Sequence, residues 1–560
     1  MSAFTPRPNG TVSDLARDLA ARMGDAPALV IPDFARGGHE LRLDFAALDA
    51  RIDVLAAGLI ALGIDRGEHV ALWAGNVADW VPLEFALARI GAVLVTVNTA
   101  LQRDEVAYVL RQSGAVAVLH TSGTGSNDAS AVLDEVLGDP AQGLERVRRR
   151  VWLPATPDEA TPTGLQLDAA GARGELTSVD AMIAQGRSIP PAELAAREAA
   201  CRPDDVVNIQ YTSGTTGFPK GVMLSHANLM SSAWELGEQI RLTPADRICL
   251  MVPLFHCFGC VVAVLGSYSY GAGLYVLPGF DARNALNLID AEQCTVVHGV
   301  PTMFSAMLAH PERDQFDTRS LRTGLMAGAP CPVPLMRAVI DELHCEGMCI
   351  AYGLTEAAPG VAGTNPEDDL AVRCGSIGRS LPGVSVRVVD PHSRIDVPAG
   401  GEGELWVAGP NVMVGYHDDP AASALAIVDG GWLRTGDLAR QDDQGLLHIV
   451  GRAKDIIIRG GENIAPAEIE SVLREHPDVV DVAVVGVSHE FFGEEVAGAV
   501  VLKQGALLAP RSYADLLEGR VAAFKVPKLW KHFEAFPLTG SGKVQKFRLR
   551  EMMDGAVHLE

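Results

Sequence analysis

Cysteine is scarce, with nine in 560 residues; that is too sparse for a disulfide scaffold and suits a reducing compartment. Basic charge is also short, 46 Lys and Arg against 70 Asp and Glu for a net charge of −24. Nucleic acid is therefore not expected as a partner, because binding it needs a basic surface to displace counterions. No apolar run is continuous enough to cross a membrane. The richest, 254–280, is broken by His256, Ser267, Ser269 and several glycines, and reads as buried strands and turns. The first two dozen residues lack a basic end followed by an apolar stretch, so no export signal is expected and a cytoplasmic protein is. Hydrophobic residues make up 48% of the chain. That share excludes disorder, and the length calls for at least two domains. Cys257 and Cys260 form a C-x-x-C, with His344, Cys345 and Cys349 elsewhere, but neither group has zinc or redox spacing. They read as buried thiols.

Between about residues 70 and 410, short β-rich runs (69–75, 92–98, 206–211, 247–252, 295–300) alternate with helical stretches, the rhythm of an α/β fold. The stretch 138–200 shows no clear period and is expected to contain exposed loops. Near residue 451 the character changes to a compact segment of strands and short helices. The expected organisation is a large lobe, 1–450, and a small α+β domain, 451–560. Residues 451–560 carry 14 basic and 16 acidic side chains, and 520–550 carry eight basic to one acidic. A locally positive tail on an acidic protein suits a small anionic partner.

Tyr211-Thr-Ser-Gly-Thr-Thr-Gly-Phe-Pro-Lys220 follows an apolar strand and precedes a helix that Ser225 is placed to cap. The hydroxyls of Thr212, Ser213, Thr215 and Thr216, the flexible Gly214 and Gly217, and Lys220 form a loop able to wrap a polyphosphate. It is not a Walker loop, since Pro219 and Gly221 flank the lysine. Gly328-Ala329-Pro330 and Tyr352-Gly353-Leu-Thr355-Glu356 each follow a strand, where open α/β sheets bind ligands. Glu356 suits a hard cation, Thr355 a phosphate oxygen and Tyr352 a base; singly, each is equally an ordinary turn residue. Asp437, in an expected turn, can accept two vicinal sugar hydroxyls. Lys543 sits in a glycine-flexed loop of the basic tail, able to reach a distant anion if the small domain rotates.

Together YTSGTTGFPKGV, PLFHCFG, AYGLTE, GELWVAGPNVMVGY, WLRTGD, GRAKDIIIRGGENI and LTGSGKVQK resemble, in order and over roughly residues 50–550, the adenylate-forming superfamily of acyl-CoA synthetases, luciferases and peptide-synthetase adenylation domains. The resemblance implies a large α/β lobe with a β-barrel-like portion and a small mobile C-terminal domain. It implies that residues 212–220 cradle the ATP phosphates, that Gly328 to Pro330 with Tyr352 and Gly353 enclose adenine, and that Asp437 with Arg452 holds the ribose. Thr355 would contact the α-phosphate, and Glu356 with Thr215 would bind Mg²⁺. Lys543 would bridge carboxylate, α-phosphate and ribose, and Lys454 would be the hinge about which the small domain swings to present Gly460 and Gly461 to the pantetheine arm of coenzyme A.

The PLFHCFG tract lacks the aspartate with which amino-acid-activating relatives pair an ammonium, so the acid should have no α-amino group. His256, Val261, His298 and Gly299 would line an apolar acyl pocket, although either histidine can equally be a satisfied core residue. The chain looks most like medium-chain fatty-acyl-CoA synthetases, which implies a role in lipid metabolism on a carboxylic acid, ATP and CoA, with a homodimer as one possibility. A stand-alone adenylating enzyme serving a carrier protein and a non-catalytic nucleotide-binding scaffold are the competing readings.

Overall fold

The computed structural model describes residues 10–34, 38–124, 127–156, 159, 175–212, 219–329, 331–452, 455, 457–459, 462–464, 466–489, 492–518, 520–521, 523–538 and 544–559. By compactness the chain divides into two units, Met1–Ser385 with Val407–Leu433 and Val386–Trp406 with Arg434–Glu560.

The first unit is built on two sheets. In the nine-stranded sheet, Gly347–Gly353, Thr323–Ala327, Val296–Gly299, Arg247–Leu250, Gly273–Val276 and Pro27–Asp33 lie side by side and parallel. Gly38–Asp44, Gly360–Gly363 and Arg379–Ser380 add antiparallel edges. In the eight-stranded sheet the parallel members are Val206–Thr212, Val93–Thr96, His69–Trp73, Ala117–His120, Arg149–Trp152 and Glu175–Ser178. Lys220–Ser225 and Gly415–Tyr416 complete it antiparallel. Strands covered on both faces read as continuous apolar runs, which is why Val93–Thr96 is buried at every residue. The helix Trp80–Ile90 is likewise buried all round.

One stretch differs from the sequence expectation. Within 254–280, residues Phe258–Leu265 form a π-helix continued by Gly266–Ser269, and only Gly273–Val276 is a strand. An apolar run buried on all sides carries no period to separate helix from strand. The stretch 138–200 also contributes the strands Arg149–Trp152 and Glu175–Ser178 and the helices Val179–Gly186 and Pro191–Ala200.

In the second unit, a six-stranded sheet includes the long antiparallel pair Val479–His489 and Gly493–Leu502, with Leu529–His532 parallel to the latter. Its core gathers Ile457, Ile464, Leu473, Val484, Val500, Tyr513 and Trp530. A smaller, five-stranded sheet pairs Trp432–Gln441 antiparallel with Leu447–Arg452. Among the described residues, no helix is long and apolar enough to cross a membrane.

Three buried histidines tie the first unit's stability to pH. Burial first, with the Arg150 charge at His120, pushes His120, His226 and His298 from 6.5 down to about 4. At His226 and His298 the Nδ1 atom accepts a backbone N–H, from Val12 at 3.1 Å and Leu325 at 3.2 Å, so protonating that atom would break the bond. Between about pH 4 and 6.5 the unfolded chain binds more protons than the folded one, so stability present above pH 6.5 is lost on acidification. The expected slope is at most about 1.4 kcal/mol per pH unit for each histidine. Urea midpoints at pH 7.0, 6.0 and 5.0 check it, and a midpoint that does not fall contradicts it.

Candidate active site

The phosphate-loop candidate is a hairpin connection. Strands Val206–Thr212 and Lys220–Ser225 pair antiparallel with Thr212 opposite Lys220, so residues 213–219 are closed at their base. Thr212 and Lys220 stand at that mouth; Ser213, Gly214, Thr215, Thr216 and Gly217 lie outside the described residues. Tyr108 donates its phenol O–H to the Pro219 carbonyl at 3.0 Å, holding the far end. Ser225 caps the following helix, His226–Gln239, in a reciprocal box with Asn228, as the sequence indicates.

Tyr416 links this loop to the Glu356 tract. The two-residue strand Gly415–Tyr416 pairs with Val222 and Met223, which sets the Tyr416 ring 5.0 Å from the Lys220 ammonium. Its O–H donates to Glu356 Oε1 at 3.0 Å, and the Glu356 carbonyl accepts from the Met413 N–H at 2.9 Å. Burial, followed by the Glu356 charge, pushes the Tyr416 phenol well up, so it stays a donor. One aromatic side chain therefore touches both the lysine and the carboxylate. The sequence assigns Tyr416 no role. It lies within the GELWVAGPNVMVGY tract, but only strand pairing shows what it touches.

The other candidates collect at strand C-terminal ends. Gly299, Gly328 and Gly353 end or follow three adjacent parallel strands. Gly328 has φ +87°, a conformation that favours glycine, and Ala329 beside it is exposed; Pro330 lies outside the described residues. A Cβ on Gly353 would lie 1.8 Å from the Pro359 carbonyl oxygen, so only glycine fits there. Tyr352 is half-buried just before it. Thr355 is 9% exposed, with its hydroxyl 3.8 Å from Cys257 Sγ. Cys257 Sγ is in turn 3.7 Å from His256 Nδ1, which accepts the Phe258 N–H at 3.1 Å. The structure thus joins Thr355, Cys257 and His256 at the start of the π-helix, a meeting of two tracts that spacing could not reveal.

Val261 is fully buried within that π-helix. His298 is 1% exposed, and its ring lies 6.1 Å from that of Phe258. With Nδ1 satisfied by Leu325, His298 has the surroundings of a core histidine. At Gly299 a Cβ would meet the flexible end of Met251 at 2.9 Å. Cys257, Cys260, Cys345 and Cys349 are all buried, the expected state of small apolar thiols.

In the second unit, Asp437 faces Arg452 across the strand pair and is 5% exposed. It stands inside the strand Trp432–Gln441 and not in the turn expected from the sequence. Lys454, Gly460, Gly461 and Lys543 lie outside the described residues. Residues 539–543 are bracketed by a bridge between Leu538 and Val544, reinforced by Gln545, whose N–H donates to the Pro537 carbonyl at 2.8 Å. Arg459, in the tract expected near coenzyme A, forms an ion pair with Glu495 at 2.5 Å and packs on Phe492 with 4.0 Å to the ring centre.

Comparison with known proteins shows the family. The family model for AMP-binding enzymes matches residues 16–417, and that for the AMP-binding enzyme C-terminal domain matches 468–543. The chain belongs to the AMP-binding enzyme family, the adenylate-forming superfamily. YngI of Bacillus subtilis (strain 168), assigned as an acyl-CoA synthetase, is 42% identical, covering 97% of both chains. The mitochondrial medium-chain acyl-CoA ligase ACSF2 of Mus musculus is 35% identical over 98% of this chain and 88% of its own. Among solved structures, ATP-bound MatB from Rhodopseudomonas palustris superposes with a TM-score of 0.79 at 30% identity, covering 97% of this chain and 99% of MatB. The anthranilate CoA ligase AuaEII with anthranoyl-AMP gives a TM-score of 0.83 at 25% identity, covering 99% of each. Within its family the chain is an acyl-CoA synthetase, an AMP-forming acid–thiol ligase.

Proposed function

We propose that this ligase activates a medium-chain fatty acid or a similarly bulky hydrophobic carboxylic acid, working in the cytoplasm on that acid, ATP and CoA. The observation that carries the reading is the Lys220–Tyr416–Glu356 arrangement beside Thr355, with His256 and the apolar π-helix Phe258–Leu265 adjoining it. The phosphate groups then lie along Thr212 to Lys220, and adenine sits between Gly328–Ala329–Pro330 and Tyr352–Gly353. Asp437 and Arg452 hold the ribose. The substrate carboxylate enters at His256, and its chain runs along Val261 with Gly299 and His298 behind.

Attack of the carboxylate on the α-phosphorus brings two anions together, so the barrier is chiefly electrostatic. Lys543 and Lys220 offset that repulsion, and Thr355 donates to the α-phosphate. Glu356, oxygen-only and hard, suits Mg²⁺, with Thr215 as its companion, and a bound cation there would neutralise phosphate charge. The mobile lid is taken as 451–560, hinged at Lys454. Its rotation after pyrophosphate leaves would withdraw Lys543 and bring Gly460 and Gly461 to the thiol arm. The apolar character of Cys260 to Leu265, all buried, supports a hydrophobic acid over a charged one.

Pyrophosphate release from a panel of acids, measured with and without CoA, tests the assignment. Release that peaks with C6 to C12 or comparably bulky acids, together with acyl-CoA formation, is expected. Release without thioester would move the reading to a carrier-protein acceptor; no release with any acid would leave only the scaffold.

A further inference from the structure

The helix Arg103–Ser113 packs against the hairpin formed by Val206–Thr212 and Lys220–Ser225. It turns Val106, Ala107, Val109 and Leu110 into the core beneath the sheet and presents Tyr108 and Gln112, one turn apart, to the hairpin. Tyr108 holds the Pro219 carbonyl. Gln112 holds two strands at once, because its Nε2 donates to the His417 carbonyl at 2.7 Å while its Oε1 accepts the Tyr211 phenol O–H. A carbonyl oxygen only accepts, so the His417 contact fixes which way the amide faces, and Tyr211 is the donor to the other end. Burial pushes the Tyr211 phenol well up, so it keeps its proton.

Each of the two anchored residues adjoins one that the site uses. Tyr211 directly precedes Thr212 at the mouth of the phosphate loop, and His417 directly follows Tyr416, which touches Lys220 through its ring and Glu356 through its O–H. Gly221 runs between them, opposite Tyr211. A Cβ on Gly221 would lie 3.0 Å from Ile209 Cγ2 and 3.3 Å from the Tyr211 ring, so its missing side chain leaves the phenol room to reach across to Gln112. The Gly221 carbonyl accepts the His417 N–H at 2.7 Å. Gly415–Tyr416 has a ladder of only two residues, so ties beyond it share in fixing where Tyr416 stands.

We propose that Gln112 is a positioning residue for nucleotide binding: its amide ties the strand entering the phosphate loop to the strand carrying Tyr416, and so keeps Lys220 and Glu356 at the spacing that magnesium ATP requires. Gln112 touches neither the nucleotide nor the acid in this arrangement; it acts through Tyr416. The proposal rests on the reading of Lys220 and Glu356 as the phosphate and magnesium groups given above.

The test compares the full-length enzyme with Gln112→Leu, Gln112→Glu, Tyr416→Leu and the double variant Gln112→Leu with Tyr416→Leu, each checked for fold by circular dichroism. KM for ATP, KM for the acid and the half-saturating magnesium concentration are measured for all five. Leucine removes both bonds of Gln112, whereas glutamate keeps the acceptor for Tyr211 and loses the donor to His417. The expected result is a severalfold rise in KM for ATP and in half-saturating magnesium in both Gln112 variants, with KM for the acid unchanged and no further loss when Gln112→Leu is added to Tyr416→Leu. Additive losses, or an equal rise in KM for the acid, would show a general packing role and overturn the proposal. Normal ATP and magnesium constants in Gln112→Glu would overturn it even if the leucine variant failed to fold. Normal constants in Tyr416→Leu would instead strike the reading of Lys220 and Glu356 underneath, and the proposal with it.

Discussion

Replacing Lys543 by alanine is expected to slow acyl-adenylate formation by about 10²–10³-fold, the scale set by losing one pre-organised donor to a developing charge. Thioester formation from supplied acyl-adenylate should stay within about threefold of normal, because the lysine acts only where the carboxylate and phosphate anions repel each other. The bridge between Leu538 and Val544 closes the chain on both sides of 539–543, so the side-chain change should leave the fold of the second unit intact. Single-turnover assays of each half-reaction check the split. Equal loss in both would contradict a lid that alternates between two tasks.

The Glu356→Gln variant is expected to lower kcat for pyrophosphate release by about 10²-fold and to raise the Mg²⁺ concentration needed for half-maximal rate. Glutamine keeps an oxygen for the Tyr416 O–H, now 3.0 Å from Glu356 Oε1, and removes only the charge. Tyr416→Phe gives the complementary comparison, because it keeps the charge and removes the hydrogen bond. A hydrogen bond to a charged carboxylate contributes roughly 1.5 kcal/mol at the low end, so about a tenfold loss is expected there. Magnesium titrations of both variants separate the roles. If the tyrosine variant lost as much as the glutamine one, Glu356 would be acting through its position and not through its charge.

Much of this site could be read along the chain. The parallel strands announce themselves as short apolar runs, and their C-terminal ends fall at Gly299, Gly328 and Gly353, where open sheets take ligands. Ser225 marks the helix start correctly. Asp437 is read from its own tract as an acceptor of sugar hydroxyls and Arg452 from the family resemblance, and pairing of the two strands then sets them opposite each other. What stayed hidden has physical causes. Phe258–Leu265 is buried on all sides, so hydrophobicity has no period there and the segment passes for a strand. Tyr416 acts from a two-residue strand whose partner lies nearly two hundred residues earlier, a relation local pattern does not carry. The grouping of Val386–Trp406 with the C-terminal unit arises from tertiary contacts, which composition does not carry.

The central claim is that the hairpin loop after Thr212 and the Glu356 tract together hold a magnesium nucleotide. Isothermal titration of ATP into the full-length protein, with magnesium and then with EDTA, tests it most directly. The account predicts one site per chain that weakens sharply when magnesium is removed, and weakens in the Glu356→Gln variant as well. ATP heat that is absent, or identical with and without magnesium in both proteins, would contradict it.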